Sequence, residues 1–331
     1  MRRYLLRKLG TYGITFFAAV TIDWVIPHLM PGDPILQLVN RIAIRDKPTF
    51  DRIYGQIAKG FRTDLPLWKQ YLYFWDSLIH GDLGVSINLF PMKVTTLISN
   101  AAPYTLSLLI PSILLSWYVG NKVGAMAARR KALDNTVLPI SYALTATPYL
   151  WFAMIFAWVF AYVWKVLPGT YGYDPTAIIG WNWASFVNLL KHWFLPFSSM
   201  FLVAFGGWAI GMRNMIIYEL ESDYSHYLEA LGAPRRLVRK YAFRNAMLPQ
   251  ITGLALQLGA VLAGALVTEI VFSYPGLGMM IYTAIINQDY FVIQGVFLFI
   301  IIGTLIANFI VDIVYVLVDP RTRIGMQGGQ A

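Results

Sequence analysis

The chain has 331 residues, of which 57% are hydrophobic and only 13% are charged, with 26 lysines and arginines against 17 aspartates and glutamates. Soluble domains carry about a quarter charged residues, so this composition excludes an ordinary soluble domain and indicates lipid as the main solvent. The absence of cysteine excludes disulfides, thiolate metal sites and cysteine nucleophiles, and the net charge of +9 is typical of basic loops facing a membrane rather than of a nucleic-acid partner.

Six apolar stretches are long enough to cross a bilayer, which takes about 20 mostly apolar residues in a helix. The first follows a basic N-terminus that resembles a signal peptide, but it lacks a small-residue cleavage site and continues for a full span, which indicates a retained helix. The pattern predicts an all-α integral membrane protein with six transmembrane helices. In chain order these are Leu9–Met30, Tyr104–Ala125, Val137–Trp164 (interrupted by Pro148), Trp193–Ile217, Leu248–Phe272 and Tyr290–Val318.

The distribution of lysine and arginine orients these spans, because basic residues concentrate in cytoplasmic loops. With the N-terminus inside, the inner segments 1–9, 121–135, 213–247 and 319–331 are all basic. The two short outer segments carry only Lys165 and Lys191. An even number of spans then places both termini in the cytoplasm, and the protein in the cell membrane as a multi-pass chain.

The long segment 31–102 is then an extracytoplasmic domain or cap with short helices in 48–61 and 67–84. It is rich in aromatic residues, which suits contact with a soluble partner as well as a spacer over the mouth of the bundle. The remaining organisation is residues 1–30 as the N-terminal tail and first span, 103–320 as a core bundle with a cytoplasmic loop at 218–248, and 321–331 as a cytoplasmic tail.

Catalytic motifs are missing from the sequence. There is no phosphate-binding G-x-x-x-x-G-K-[ST] loop, no H-E-x-x-H and no G-x-S-x-G. The four histidines are scattered on both predicted sides, and the acidic residues within the spans, Asp23, Glu269 and Asp312, fall near predicted ends. We therefore expect a chain that is not an enzyme and holds no metal or cofactor itself.

The loop at 218–248 has a distinct internal order. Tyr224, Tyr227, Leu228 and Leu231 fall at helical spacing and form one apolar face. Gly232 is a natural helix stop and Pro234 prevents continuation, after which a basic helix leads to Pro249 at the next span. A short helix, a tight corner and a second helix make a rigid elbow that can transmit force; composition alone also fits a basic loop lying on anionic lipid.

This elbow between the fourth and fifth spans resembles the EAA loop of ABC-importer permeases, although His226-Tyr227-Leu228 stands where Glu-Ala-Ala is usual. The blocks "HLMPGDP", "ALVTEIVFSYPGLGMM" and "NFIVDIVYVLVDPRTR" are similar to the dipeptide/oligopeptide permease family in particular. The resemblance covers nearly the whole chain. It implies the fold of an ABC type I importer transmembrane domain and the role of a permease for peptides; β-linked oligosaccharides such as cello-oligosaccharides are the alternative solute, and an ion-driven secondary transporter is a further alternative.

The resemblance also implies partners and residue roles. The partners are a second homologous permease subunit, two ATPase subunits that use ATP and magnesium, and an extracytoplasmic solute-binding protein. The residues that would contact the ATPase are Asp223, Tyr224, Tyr227, Leu228, Glu229, Ala230, Gly232, Ala233 and Pro234. Glu269, Pro275 and Gly276 match the family's outer turn after the fifth span. Together with Gln257 and Gly264 of the glycine-rich fifth span, they are the candidates for lining the translocation path or its gate.

Overall fold

The computed structural model describes residues 2–41, 46–178 and 180–318, which are mostly helical. Within these ranges the only β-pairing is an isolated antiparallel bridge between Val85 and Lys93. The helices are α1 (Arg2–His28), α2 (Pro34–Arg41), α3 (Lys47–Phe61), α4 (Leu67–Ile79), α5 (Val94–Ala127), α6 (Lys131–Ala146), α7 (Tyr149–Ala157, continued by a π-helical turn at Trp158–Val163), α8 (Trp183–Leu220), α9 (Asp223–Ala230), α10 (Arg235–Val271), α11 (Leu277–Ile286) and α12 (Tyr290–Val318). The all-α prediction is confirmed for the described residues.

Among the residues that the structure describes, four helices are long and apolar enough to cross a membrane, or five if one bent pair counts as a single span. The four stretches are Lys8–His28, Val94–Ala127, Trp183–Leu220 and Tyr290–Ile310. α5 begins at Val94 rather than at the predicted Tyr104, because hydropathy marks only the part of a helix suited to lipid and not its polar extension. The fifth predicted span, Leu248–Phe272, lies within α10, where residues 258–265 have side chains outside the described part. Six spans and two cytoplasmic termini therefore stay predictions.

The third predicted span, Val137–Trp164, is sharply bent. α6 and the stretch Tyr149–Val163 meet at an angle of 102°. Thr147 has extended backbone dihedrals (φ −76°, ψ 124°) and Pro148 begins the next helix. A proline disfavours helical geometry in the residue before it, so the Thr147–Pro148 step ends α6 and redirects the chain.

The chain forms two compact units. The first combines the N-terminal part up to Tyr104 with Pro275–Gly303, and the second combines Thr105–Tyr274 with the described residues from Thr304 on. In the first unit, α3 and α4 occupy the two helical stretches predicted in 31–102. α4 packs on α1 through ring contacts, with Trp75 stacked on Phe17 at 5.3 Å and Tyr71 edge-on to Trp24 at 5.2 Å.

The "GDP" part of the first quoted block organises α2 and α3. Asp33 Oδ1 accepts the backbone N–H groups of Ile35 and Leu36 (2.9 and 3.1 Å), which caps the start of α2. Its other oxygen accepts the Tyr54 hydroxyl at 2.6 Å, and this bond links α2 to α3 and raises the pKa of Tyr54. Beneath these bonds Ile35, Val39 and Ala58 form a small buried core.

A second acidic cap holds the start of α12 in the same unit. Asp289 is buried and accepts the Ser86 hydroxyl at 2.5 Å and the N–H groups of Ile87 and Asn88 at 3.1 and 2.9 Å. It also accepts the Val292 N–H at 3.4 Å, within the first turn of α12. One carboxylate thus fixes the turn after α4 to the beginning of a predicted span.

In the second unit α8 is the central helix and packs against α6, α7, α9 and α10. Small residues allow close approach: a Cβ placed on Gly124 of α5 would lie 2.3 Å from the Ala209 carbonyl oxygen of α8. A Cβ on Gly206 of α8 would lie 2.8 Å from the Ser141 carbonyl oxygen of α6. Asp134 and Arg213 add a two-pronged ion pair between α6 and α8, with N–O distances of 2.9 and 2.6 Å.

Candidate functional site

The predicted elbow is built on the last turn of α8. The hydroxyls of Ser222 and Ser225 both donate to the Glu219 carbonyl oxygen at 2.6 Å, and Ser225 is fully buried. The Tyr224 hydroxyl donates to Glu219 Oε2 at 2.7 Å. Three hydrogen bonds to one residue fix the start of α9 to the end of α8, so α9 cannot swing freely.

The corner after α9 is a Schellman turn. Gly232 has φ +77°, its N–H donates to the Glu229 carbonyl at 2.9 Å, and the Ala233 N–H donates to the Leu228 carbonyl at 3.0 Å. The left-handed conformation explains the glycine, since a Cβ at this position would meet nothing within 4 Å. Pro234, two residues further on, is the N-cap of α10. The sequence-predicted helix stop is confirmed.

The first turns of α10 pack into the second unit. Val238, Ala242 and Ala246 are buried at helical spacing on one face. Ala246 belongs to a core cluster with Ala125 of α5 and with Met212 and Ile216 of α8. Because α9 is fastened at its start and α10 is buried from its first turns, the elbow is rigid at both ends.

One side of the elbow is exposed in the described structure. The predicted apolar face of α9 divides: Tyr224 and Leu228 are half-buried, whereas Tyr227 and Leu231 are 66% and 65% exposed. We call the exposed residues of α9 and its C-cap the elbow surface. Its members are Asp223, His226, Tyr227, Glu229, Ala230 and Leu231. Two large apolar side chains among polar neighbours are typical of a surface that meets a partner.

The residues predicted for the path do not form one cluster. Gln257 and Glu269 both lie on α10 but are separated by twelve residues, or about 18 Å of helix. Glu269 is fully buried and accepts the Thr105 hydroxyl at 2.6 Å, while Gln257 is half-buried. Gly264 lies in the stretch whose side-chain surroundings are outside the described part.

Pro275 and Gly276 stand before α11, where Gly276 is buried and occupies the N-cap position. α11 is a short apolar helix within the predicted outer segment between the fifth and sixth spans. The role of these residues in a path stays a prediction.

The anchoring residues were not found from sequence. The hydrogen bonds that hold α9 involve Glu219, Ser222 and Ser225. Of these, only Ser222 has a position that the sequence marks, because a serine just before a helical pattern indicates the start of a helix. Within the described ranges no group of histidine, aspartate and glutamate side chains has the geometry of a metal site.

Comparison with known proteins agrees with this architecture. The family described as binding-protein-dependent transport system inner membrane component matches residues 120–324. The chain is 29% identical over 343 aligned positions to the dipeptide transport system permease protein DppB of Escherichia coli K12, covering 98% of this chain and 99% of the relative. It is 32% identical to the probable D,D-dipeptide transport system permease protein DdpB of the same strain, covering 93% of each. The oligopeptide transport system permease protein OppB of Haemophilus influenzae is 27% identical over 98% of this chain.

Proposed function

Because the chain belongs to the binding-protein-dependent transport system inner membrane components, multi-pass permeases of the cell membrane, we propose that it is a peptide permease subunit of an ATP-driven importer. The observation that carries the proposal is similarity over nearly the whole chain to relatives named as dipeptide and oligopeptide permeases. Peptides are therefore favoured over β-linked oligosaccharides and over ion-driven transport.

The proposed arrangement has six spans, with the apolar part of α10 as the fifth, and both termini in the cytoplasm. A second permease subunit completes the pathway. Two ATPase subunits bind ATP and magnesium and hydrolyse the ATP, while this chain performs no chemistry. A solute-binding protein delivers the peptide to the outer side, where the segment 31–102 and the turn before α11 meet it.

The elbow supplies the coupling step in this proposal. The elbow surface docks into a groove of an ATPase subunit, with Tyr227 and Leu231 as the apolar contacts. When the ATPases close on ATP and separate after hydrolysis, α9 moves with them. Its hydrogen bonds to Glu219 and its Schellman turn support transfer of that motion to α8 and α10, because neither end of α9 is loose.

The path opens alternately to either side as these helices tilt. Gln257 and Gly264 lie on α10 and would line the moving part of the path. Glu269 would hold the outer end of α10 in place through Thr105. Pro275 and Gly276 would set the outer turn that acts as a gate.

The docking step is testable because the chain contains no cysteine, so a single engineered cysteine is unique. In the assembled complex, Tyr227→Cys should cross-link to a cysteine scanned along the ATPase groove, and ATP should change the yield. Tyr218→Cys, at a side chain 68% exposed on α8 outside the elbow surface, is the matched control and should not cross-link. Equal yields at both positions, or none at position 227, would contradict the docking of α9.

The solute is tested separately with the cognate binding protein. Calorimetry against di- and tripeptides and against cello-oligosaccharides should show binding of peptides alone. Binding of sugars without peptides would overturn the choice of solute and leave the importer role intact.

A further inference from the structure

A cleft with strong positive charge lies beside the elbow in the second unit. It has a volume of about 610 Å³ and is lined by Lys122, Ala125, Met126 and Arg129 from α5 and the turn after it, and by Arg236, Arg239, Lys240 and Phe243 of α10. On each helix these residues recur at intervals of three and four, so two helix faces contribute to one cleft. The volume is that of a small-molecule site.

The five cations of this cleft have no acidic partner among the residues that the structure describes. No acidic side chain lines the cleft, and in the described part of the chain none of the five forms an ion pair. Lys122 lies over the Tyr118 ring at 4.2 Å and bonds its hydroxyl. Burial is the main cause of a lowered pKa of the Arg129 guanidinium, and the nearby positive charge of Arg239 lowers it further.

The cleft also has an apolar floor and stands at the end of an apolar helix. Ala125 is buried, Phe243 is half-buried and the Met126 side chain is 47% exposed among the cations. α5, whose whole length passes as a candidate span, ends at Ala127 between Lys122 and Arg129. Basic side chains at the end of a span, with exposed apolar and tyrosine side chains next to them, match the headgroup level of a bilayer.

We propose that this cleft binds the phosphodiester headgroup of an anionic phospholipid, with the guanidinium groups on the phosphate oxygens and the Met126 side chain against the acyl chain. Guanidinium groups bind phosphate oxygens in pairs and suit this contact. The assignment to the inner leaflet rests on the orientation given under the proposed function. A bound lipid would brace the first turns of α10, immediately after the Schellman turn, against the end of α5.

The test uses the full-length chain purified in detergent and titrated with phosphatidylglycerol or phosphatidylcholine, with bound lipid counted by native mass spectrometry. The wild-type chain should retain phosphatidylglycerol in preference to phosphatidylcholine. The variant R236Q/R239Q/K240Q should bind phosphatidylglycerol at least tenfold more weakly. The control R130Q/K131Q/R235Q removes the same charge from residues that do not line the cleft and should stay within twofold of the wild type.

Several results would overturn the proposal. Undiminished phosphatidylglycerol binding by the cleft variant, or an equal loss in the control, would show that the cleft does not select the lipid. Competition by inorganic phosphate at the same concentration as the lipid would identify a soluble anion as the ligand instead. If the triple variant does not fold, R239Q alone should weaken binding about threefold, and its unchanged binding would count equally against the site. The assay contains no ATP and no peptide, so its result is independent of whether the importer role is right.

Discussion

Several helices of this chain end at a single residue with positive φ. Gly232 (φ +77°), Ser273 (φ 47°) and Gln288 (φ 53°) each follow the C-cap of a helix. The N–H of each of these residues donates to the carbonyl three residues before it. The N–H of the following residue donates to the carbonyl five residues before itself, as Tyr274 does to Glu269 and Asp289 does to Ala284. A Schellman turn therefore ends α9, α10 and α11 alike.

The corner at Gly232 is predicted to control coupling through backbone conformation rather than packing. An L-residue in the left-handed region costs roughly 1–2 kcal/mol, and asparagine tolerates it best. Because a Cβ has open space there, Gly232→Asn should retain most of the peptide-stimulated ATP hydrolysis of the reconstituted complex, Gly232→Ala less, and Gly232→Val least. Membrane insertion should be unchanged in all three. Wild-type coupled rates in the alanine and valine variants would show that the corner does not transmit motion.

We predict that the Asp289 carboxylate contributes more to the stability of the first unit than any other single hydrogen-bonding side chain. Asp289→Ala leaves the Ser86 hydroxyl and two backbone N–H groups without their acceptor in a buried site, which should cost about 3–5 kcal/mol of unfolding free energy. The control is Asp82→Ala, which removes one exposed bond to the Gly84 N–H and should cost about 1 kcal/mol or less. Thermal unfolding in detergent measures both. Faster hydrogen exchange at residues 86–88 should accompany the loss, and similar unfolding temperatures for the two variants would contradict it.

At the scale of elements, α8 is organised around close contacts with its neighbours. Gly124 of α5 and Gly206 of α8 let backbones approach to distances that no side chain permits. The interface between α6 and α8 also carries the ion pair of Asp134 and Arg213. The hydrogen bonds from the Arg213 guanidinium are the main cause of the lowered pKa of Asp134, at the N-terminal end of α6. The elbow is attached to this packed group, so motion at α9 reaches helices that are held firmly to one another.

The contact between α5 and α8 is predicted to tolerate no Cβ at position 124. A methyl group would overlap the Ala209 carbonyl oxygen, which belongs to the backbone and cannot rotate away. Gly124→Ala should therefore destabilise the second unit by about 1–3 kcal/mol despite the better helix propensity of alanine. Gly13→Ala in α1, where a Cβ meets nothing within 4 Å, is the control and should be neutral or slightly stabilising. Equal unfolding temperatures would refute the close approach.

At the scale of the whole molecule, each compact unit joins segments far apart in the chain. Residues up to Tyr104 share a unit with Pro275–Gly303, and the link is visible in Asp289, which binds the turn at 86–88. The first unit contains the whole segment 31–102, and the second contains the elbow. An importer subunit of the proposed kind would present these two regions to opposite sides of the membrane.

The topology is predicted to place Trp68 outside and Tyr227 inside. Both side chains are more than half exposed, at 62% and 66%, and a single cysteine at either site is unique in this chain. An impermeant maleimide added to intact cells should label Trp68→Cys and leave Tyr227→Cys unlabelled, because basic segments stay in the cytoplasm. Permeabilised cells serve as the control and should give label at both. Labelling of position 227 in intact cells would invert the orientation and remove the elbow from the ATPase side.

The sequence by itself determined the features that depend on neighbouring residues. The positions of α3, α9 and α12 followed from local patterns, and so did the stop at Gly232 and the break at Pro148. These signals are local because helix periodicity, proline and glycine act on the backbone within one or two turns. The order of the elbow and its flanking blocks along the chain was also sufficient to indicate the permease family.

Only the tertiary structure decided which distant groups meet. Nothing in the sequence predicted that Ser273 and Gln288 would adopt positive φ, that Glu269 would be buried against Thr105, or that two basic helix faces would form one cleft. The close approach of Gly120 and Gly124 on α5 to α8 was likewise not predicted from the sequence. The physical reason is that such contacts join residues far apart in the chain, and their free energy depends on packing and desolvation that no local pattern records.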